Sequence, residues 1–165
     1  MITARSARPE DAPAMCALLN PIIEEGSTTA YRTPFDTTHM VAHYIENPVV
    51  LSCVVAEEAG EILGFQGIFL TQPARDGSSA RWAEIGSFVS AQAQGKGVGQ
   101  IMWAETKARS IAADVDTIGA TIRTDNVPGL AYYSGLGFTD YGAVLTDTLS
   151  DGTQVQKACK RFDLT

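Results

Sequence analysis

The spacing of apolar residues predicts two helices in the first third of the chain. Asp11 is a candidate N-cap for the first of them. Beyond it, apolar residues recur at the three- and four-residue spacing of one helix face: Met15, Leu18, Leu19, Ile22 and Ile23. We expect this helix to be bent or cut near Pro21, whose nitrogen carries no hydrogen. A polar loop over residues 24–35 precedes a second helix, predicted to begin after Asp36 and to end before Pro48.

Runs rich in β-branched and aromatic residues predict the strands. These runs cover residues 2–8, 49–57, 62–71, 80–90 and 117–124, and a closing pair covers 143–149 and 154–162. Two further helices are predicted, one beginning at Val98 and one over residues 126–135. The order is βααβββαβαββ, so the predicted fold class is α/β. We expect a single domain over residues 1–165, with helices packed on a mixed sheet.

Composition restricts the possible functions of the protein more than it restricts the possible folds. Of the 165 residues, 45% are hydrophobic and 19% are charged, which excludes a disordered chain. The net charge of −7 argues against nucleic-acid binding, which needs a basic face, and is compatible with a cationic small molecule. No apolar leader or run of about 18 apolar residues occurs, and the three cysteines form no CxxC pair. We therefore expect a cytoplasmic protein that binds no membrane.

A glycine-rich loop lies between a predicted strand and a predicted helix. It reads QGKGVG over residues 94–99. The first turn of a helix presents unpaired amides and the positive end of the helix dipole, which attract phosphate groups. The loop is not a Walker loop, because Lys96 is followed by Gly97, and its GxGxG spacing is not the dinucleotide fingerprint GxGxxG. Taken alone, it could also be a turn that only starts a helix.

A second motif favours the phosphate-binding interpretation. Residues 126–138 read NVPGLAYYSGLGF. Together, the two motifs resemble the signatures of the GNAT superfamily of acetyl-CoA-dependent N-acetyltransferases. The form [QR]xxGx[GA] is matched by Gln94, Gly97 and Gly99. The form NxxAxxxYxxxGF is matched by Asn126, Tyr133, Gly137 and Phe138, with Gly129 in place of the usual alanine. Within the superfamily, residues 20–23, residues 27–31 with Pro34, and residues 83–89 are similar to the phosphinothricin acetyltransferase-like branch.

The resemblance implies a fold with a splayed central strand pair and a site for acetyl-CoA. Phe88, Val89 and Ser90 would present backbone groups to the pantetheine arm, and the Val89 amide would donate to the thioester oxygen. The pyrophosphate would lie on the loop residues Gln94, Gly95, Lys96, Gly97, Val98 and Gly99. Asn126 is expected to cap its helix, and a hydrogen bond from it to acetyl-CoA or to the splayed strand is an open alternative.

Glu84 is the candidate general base. Acetyl transfer to an amine needs a neutral nucleophile, a donor for the developing oxyanion and a proton for the leaving thiolate. Alternation places Glu84 on the same strand face as Trp82, Gly86 and Phe88, surroundings that would raise the pKa of a carboxyl group. The alternatives are a structural glutamate paired with an arginine or water, and a group that binds substrate without moving a proton.

Tyr133 is the candidate general acid, a role implied by its place in the second motif, whereas its neighbour Tyr132 is expected to pack on the helix. His39 and His43 stand four residues apart on the second helix, but no further ligands accompany them. We therefore expect no metal, and a solvated helix face is favoured over a lining of the substrate pocket. Trp82 and Trp103 are expected in the core.

The resemblance thus implies an N-acetyltransferase, with direct transfer in a ternary complex, and we expect it to act on the primary amine of a small, amino-acid-like molecule. A peptide or protein N-acetyltransferase and a non-catalytic acyl-CoA sensor are the alternatives. The closing strands offer edges that a homodimer would cover.

Overall fold

The computed structural model describes all 165 residues, Met1–Thr165. The strands are β1 Thr3–Ser6, β2 Val50–Glu58, β3 Glu61–Thr71, β4 Trp82–Val89, β5 Thr117–Arg123, β6 Thr139–Asp140, β7 Leu145–Thr148 and β8 Gln154–Asp163. The helices are α1 Ala12–Glu25, α2 Thr37–Met40, α3 Val98–Ala112 and α4 Val127–Leu136. A π-helical segment, Val41–Ile45, continues α2. The predicted α/β class is confirmed.

The strands form one mixed sheet in the order β1-β2-β3-β4-β5-β8-β6, and β7 pairs with the other end of β8. The β4–β5 pair is parallel, and every other pair is antiparallel. β4 and β5 are paired at only three positions, Trp82 with Thr117, Ala83 with Ile118 and Glu84 with Gly119. Beyond Glu84 the two strands separate, so the expected splayed pair is confirmed.

Helices cover both faces of this sheet. The first face is covered by α1, α2 and the π-helical segment, and their buried Leu19, Met40 and Tyr44 belong to one cluster with Val55 and Phe65 of the sheet. The opposite face is covered by α3 and α4, with two buried clusters that include Met102, Trp103, Ile118, Tyr133 and Phe138. Trp82 and Trp103 are both buried, as predicted. We call these the α1/α2 face and the α3/α4 face.

Two details of the elements differ from expectation. Of the bend or cut expected near Pro21, the cut is wrong, because helix α1 continues to Glu25, where Gly26 ends it with φ 82°. A proline costs the helix its hydrogen bond to the residue four positions earlier, and burial of Leu18, Leu19 and Ile23 on the sheet offsets that loss. The closing region holds three strands rather than two, because the two-residue β6 also pairs with the long β8.

Candidate active site

A cleft of about 880 Å³ opens where β4 and β5 separate. Its walls are the second half of β4 with the start of α3 on one side, and α4 on the other. Eight residues assigned to acetyl-CoA from the sequence line it: Phe88, Val89, Gln94, Gly95, Gly97, Val98, Gly99 and Asn126. Ser87 and Tyr132, which had no such assignment, line it as well. The separation of the two strands therefore brings both sequence motifs to one cavity.

Two residues of the set predicted for acetyl-CoA, Ser90 and Lys96, are not among those that line the cleft, and neither are the two predicted catalytic residues, Glu84 and Tyr133. The Ser90 amide donates to the Leu63 carbonyl oxygen at 2.9 Å, because this part of β4 is still paired with β3. Lys96 is exposed on the outside of the loop. Its ammonium group can raise the local potential, but its side chain does not form the wall.

The loop before α3 is built to expose backbone amides. Gly95 and Gly97 have φ of 76° and 79°, a left-handed conformation that favours glycine. The Ile101 amide makes the bond to the Gly97 carbonyl oxygen that opens the helical ladder, at 3.1 Å, so the amides of residues 98–100 precede that ladder. No acidic residue occupies the first turn of α3. This end of the cleft therefore suits a phosphate group.

The Val89 amide points into the gap between the strands. Ser90 directs its amide to β3, and successive amides of a strand point to opposite sides, so Val89 directs its own amide away from β3. On that side β5 is no longer paired with β4. The Val89 carbonyl oxygen accepts a hydrogen bond from Gln94 Nε2 at 3.2 Å. Val89 thus offers the cleft a backbone donor held in place by its own loop.

Glu84 lies at the last paired position of β4, on the α1/α2 face. Its Oε1 accepts from Trp82 Nε1 at 2.8 Å, and its Oε2 accepts from Thr121 Oγ1 at 3.4 Å. Arg75 Nε is 3.6 Å from Oε1, and the Glu84 side chain is 15% exposed. Burial raises the pKa of Glu84, and these three partners oppose that effect. The carboxylate is paired and also suited to act as a base. The interpretation of Glu84 as a base and its interpretation as a paired structural glutamate are therefore compatible.

Gly119 provides the space for this carboxylate. A Cβ atom at Gly119 would lie 2.5 Å from Glu84 Oε1 and 2.6 Å from Trp82 Nε1. Real Cβ atoms essentially never come so close to other heavy atoms. The position was not singled out from the sequence, because the reason for its glycine lies on the neighbouring strand.

Tyr133 lies next to Ser87 of the cleft wall. Its side chain is buried, and its hydroxyl group is 2.9 Å from Ser87 Oγ. Burial raises the pKa of Tyr133 far above the ordinary value, which keeps the phenol protonated at neutral pH. Ser87 Oγ also accepts a hydrogen bond from Gln66 Nε2 at 2.8 Å. Gln66 was not among the site residues predicted from the sequence. A lone glutamine in the otherwise apolar run GFQGIF of β3 is the feature that could have indicated it.

Tyr132 does more than pack on its helix. Its hydroxyl group donates to the Gly99 carbonyl oxygen at 2.8 Å and accepts from Gln66 Nε2 at 3.0 Å. The ring lies against Gly99, where a Cβ atom would be only 2.5 Å from it. Tyr132 therefore ties α4 to the first turn of α3 across the cleft.

Comparison with known proteins agrees with this geometry. The sequence profile of the acetyltransferase (GNAT) family matches residues 17–138. The chain belongs to this family. Comparison with curated protein sequences returns no match.

Three solved structures illustrate the similarity of the fold. An N-acetyltransferase from Staphylococcus aureus Mu50 is 22% identical with a TM-score of 0.85, over 100% of this chain and 99% of that one. A putative acetyltransferase from Salmonella typhimurium, solved with its cofactor acetyl-CoA, is 21% identical with a TM-score of 0.83, over 99% and 94%. A phosphinothricin acetyltransferase from Sinorhizobium meliloti, in complex with AcCoA, is 22% identical with a TM-score of 0.81, over 99% and 88%.

The α1/α2 face of this acetyltransferase carries an aromatic cluster beside β4. The Tyr31 hydroxyl group is 2.7 Å from that of Tyr44 and 3.1 Å from His43 Nε2. Burial and the neighbouring His39 lower the pKa of His43. His43 is half-buried rather than part of a solvated face, which corrects the sequence expectation, whereas His39 is exposed and stacks on Phe35. No group of three or more His, Cys, Asp or Glu side chains is arranged to hold a metal ion.

The loop between α1 and α2 is anchored to the end of β5. Arg123 Nη1 donates to the carbonyl oxygens of Gly26 and Thr29 at 2.9 and 3.0 Å. Asn126 Nδ2 donates to the Thr28 carbonyl oxygen at 3.2 Å, while its Oδ1 caps α4 by accepting from the Gly129 amide at 3.0 Å. The expected helix cap is thus present, and the same side chain fixes the loop.

None of the helices is long and apolar enough to cross a lipid bilayer.

Proposed function

We propose that this acetyltransferase transfers the acetyl group of acetyl-CoA to the primary amine of a small, amino-acid-like molecule, directly and within a ternary complex. One observation carries the proposal. A carboxylate with a raised pKa, Glu84, and a protonated phenol, Tyr133, lie on opposite faces of β4 beside the point where it leaves β5. A base and an acid on either side of one gap are what an acyl transfer to an amine requires.

The residues of the cleft fit acetyl-CoA as the donor. The amides at the start of α3 suit its phosphates, and the unpaired edge of β4 suits the amide groups of its pantetheine arm. Two structural neighbours were solved with this compound. When bound, acetyl-CoA supplies the activated thioester. The chain's net charge of −7 means that local groups, not the overall field, must hold this polyanion.

Each residue then has a definite task. Glu84 accepts a proton from the acceptor ammonium group, so that the amine can attack. The Val89 amide donates a hydrogen bond to the thioester oxygen as negative charge develops there. Tyr133 donates a proton to the leaving sulfur. Direct transfer is favoured because the serine hydroxyl of the cleft lining, Ser87 Oγ, is bonded to Gln66 and Tyr133, neither of which is a base at neutral pH.

The surroundings of Glu84 favour an acceptor that carries a carboxylate near its amine. The Arg75 side chain is 57% exposed and 3.6 Å from Glu84 at its Nε. An amino-acid-like molecule could place its carboxylate on Arg75 and its ammonium group on Glu84. The aromatic rings of Tyr31 and Phe88 lie beside this face of β4. Acceptors of the phosphinothricin type have this arrangement of charges.

The test is thiol release from acetyl-CoA by the purified protein with two panels, one of amino-acid-like amines and one of peptides. We expect release with at least one small amine. Release with peptides alone would overturn the proposed acceptor class. Calorimetric binding of acetyl-CoA without release by either panel would overturn the catalytic proposal in favour of a sensor.

The acid role of Tyr133 has its own test. Tyr133→Phe should lower kcat about tenfold or more with little change in melting temperature, because it removes only the proton donor. Thr106→Val is the control, since it removes a buried hydroxyl group from α3, away from the cleft lining, and should leave kcat unchanged. An unchanged kcat in Tyr133→Phe would remove this residue from the mechanism.

A further inference from the structure

Gln66 is a buried polar residue that the fold alone does not explain. It has no solvent exposure and lies on β3 opposite Ser87. Its Nε2 donates to Ser87 Oγ and to the Tyr132 hydroxyl, whereas its Oε1 is buried without a partner. An unpartnered buried acceptor destabilises a protein, and an apolar side chain of similar size would avoid that cost. The retained amide therefore calls for a reason other than packing.

The hydrogen bonds of Tyr132 fix the orientation of this amide. The single hydroxyl hydrogen of Tyr132 is donated to the Gly99 carbonyl oxygen. Tyr132 can then only accept from Gln66, so the amide nitrogen must face it. Because Ser87 is bonded to the same nitrogen, both hydrogens of Nε2 are in use, one to each hydroxyl group.

This orientation of the Gln66 amide determines which hydroxyl group donates in the hydrogen bond between Ser87 and Tyr133. Ser87 Oγ accepts from Gln66, which makes it a weaker acceptor and a stronger donor toward its other partner. That partner is the Tyr133 hydroxyl at 2.9 Å. The Ser87 hydrogen is then directed at the Tyr133 oxygen, and the Tyr133 hydrogen is left without a partner inside the protein.

We propose that Gln66 is a positioning residue for proton donation: through Ser87 it keeps the Tyr133 hydrogen free for the leaving sulfur. The inference rests on the proposed function. As the C–S bond breaks, its electron pair stays on sulfur, and sulfur takes the proton of Tyr133. The Tyr133 oxygen keeps the O–H electron pair and is stabilised by the Ser87 hydrogen until solvent returns a proton. The acceptor nitrogen loses two protons as its bond to the acetyl carbon forms, one to Glu84 before the attack and one to solvent as the amide is completed, and Glu84 then passes its proton to solvent.

The test is a double-substitution cycle with Gln66→Met and Ser87→Ala, measured on an acceptor identified with the amine panel. Each single change should lower kcat about tenfold and leave the KM for acetyl-CoA unchanged within about twofold. The pair should be no slower than either single variant, because both residues act through one hydrogen. Gln66→Met should not lower the melting temperature. Thr106→Val, which removes a buried hydroxyl without a partner from α3, is the control and should leave kcat unchanged.

The outcomes separate this inference from the function on which it rests. A wild-type kcat in Gln66→Met, with a low kcat in Tyr133→Phe, would overturn the role of Gln66 and leave the acid role intact. The inference would also be overturned if the two losses in kcat add in the double variant and if kcat falls in parallel with the melting temperature. That result would show a structural role. A wild-type kcat in Tyr133→Phe would overturn both.

Discussion

The two faces of β4 are flanked by different ionisable groups, and burial raises the pKa of both. On the α1/α2 face, burial raises the pKa of the Glu84 carboxyl group. On the α3/α4 face, burial raises the pKa of the Tyr133 phenol. For the carboxyl group this shift brings the pKa toward neutrality, where a base is effective, and for the phenol it secures the protonated form, which an acid needs. Burial therefore suits the carboxyl group to the proposed role of base and the phenol to the proposed role of acid.

The faces also differ in how their groups are held. Glu84 is held by an indole and a threonine hydroxyl group beside an exposed arginine, in a space left by Gly119. Tyr133 is held by a closed set of neutral groups that begins at Gln66. The charged face carries the exposed Arg75 side chain, whereas Tyr133 on the neutral face is buried beside the cleft wall. The substitutions below test whether this division is functional.

The largest effect is expected from Glu84→Gln. It removes the base but keeps an oxygen for Trp82, so kcat/KM should fall about a hundredfold or more. Only the deprotonated carboxylate accepts a proton, so in the wild type kcat/KM should rise with pH through the raised pKa of Glu84. This rise forms the acidic limb of the pH profile of kcat/KM. The variant should lose the acidic limb when the profile is measured with one amine acceptor.

Stability gives a control for the same substitution. A carboxyl group with a raised pKa binds its proton more tightly in the folded chain, so its contribution to stability falls as pH rises from the ordinary to the raised pKa. Glu84→Gln should therefore not lower the melting temperature at neutral pH. Glu61→Gln, at an exposed glutamate that starts β3, should leave the pH profile unchanged. An acidic limb that survives in Glu84→Gln would assign the base to another group.

A smaller loss is expected from Gly119→Ala. The added Cβ atom would meet Glu84 Oε1 and Trp82 Nε1 and must displace them. We expect kcat about tenfold lower and a reduced melting temperature, since both the carboxylate and a buried indole move. Gly135→Ala in α4, where a Cβ atom meets nothing within 4 Å, is the control and should keep kcat and the melting temperature. A normal kcat in Gly119→Ala would mean that the position of the carboxylate is not critical.

The smallest effect is expected from Arg75→Gln. An exposed ion pair contributes about 0–1 kcal/mol, so the KM for an acceptor with a carboxylate should rise about two- to fivefold with kcat nearly unchanged. The same amine with its carboxylate converted to an ester is the control, because its KM should not depend on Arg75. Equal changes for both acceptors would show that Arg75 does not bind the carboxylate.

The parts of the site that could be predicted depend on neighbours in the sequence. Alternation along β4 places Glu84 and Trp82 on one face, and the glycine spacing of residues 94–99 marks the start of α3. Position within a motif singled out Tyr133. In each case the residues that define the feature lie within one element or its adjoining loop.

The parts that could not be predicted depend on the register between strands. Gln66 stands opposite Ser87 only because β3 and β4 pair in that register, 21 residues apart in sequence. The reason for Gly119 is a carboxylate on the neighbouring strand. The course of α1 through Pro21 depends on burial against the sheet, which outweighs one missing hydrogen bond. Local patterns carry none of this information.

The short pairing of β4 with β5 also has a mechanical consequence. Three residue pairs are all that join the half-sheet β1–β4 to the half-sheet β5–β8 by strand pairing. Bending between the halves is therefore concentrated at one hinge, with Glu84 at its edge and the cleft in its open angle. A molecule lodged in that angle acts as a wedge that limits the bending. We therefore expect occupancy of the cleft to slow the exchange of backbone amides along β4 and β5.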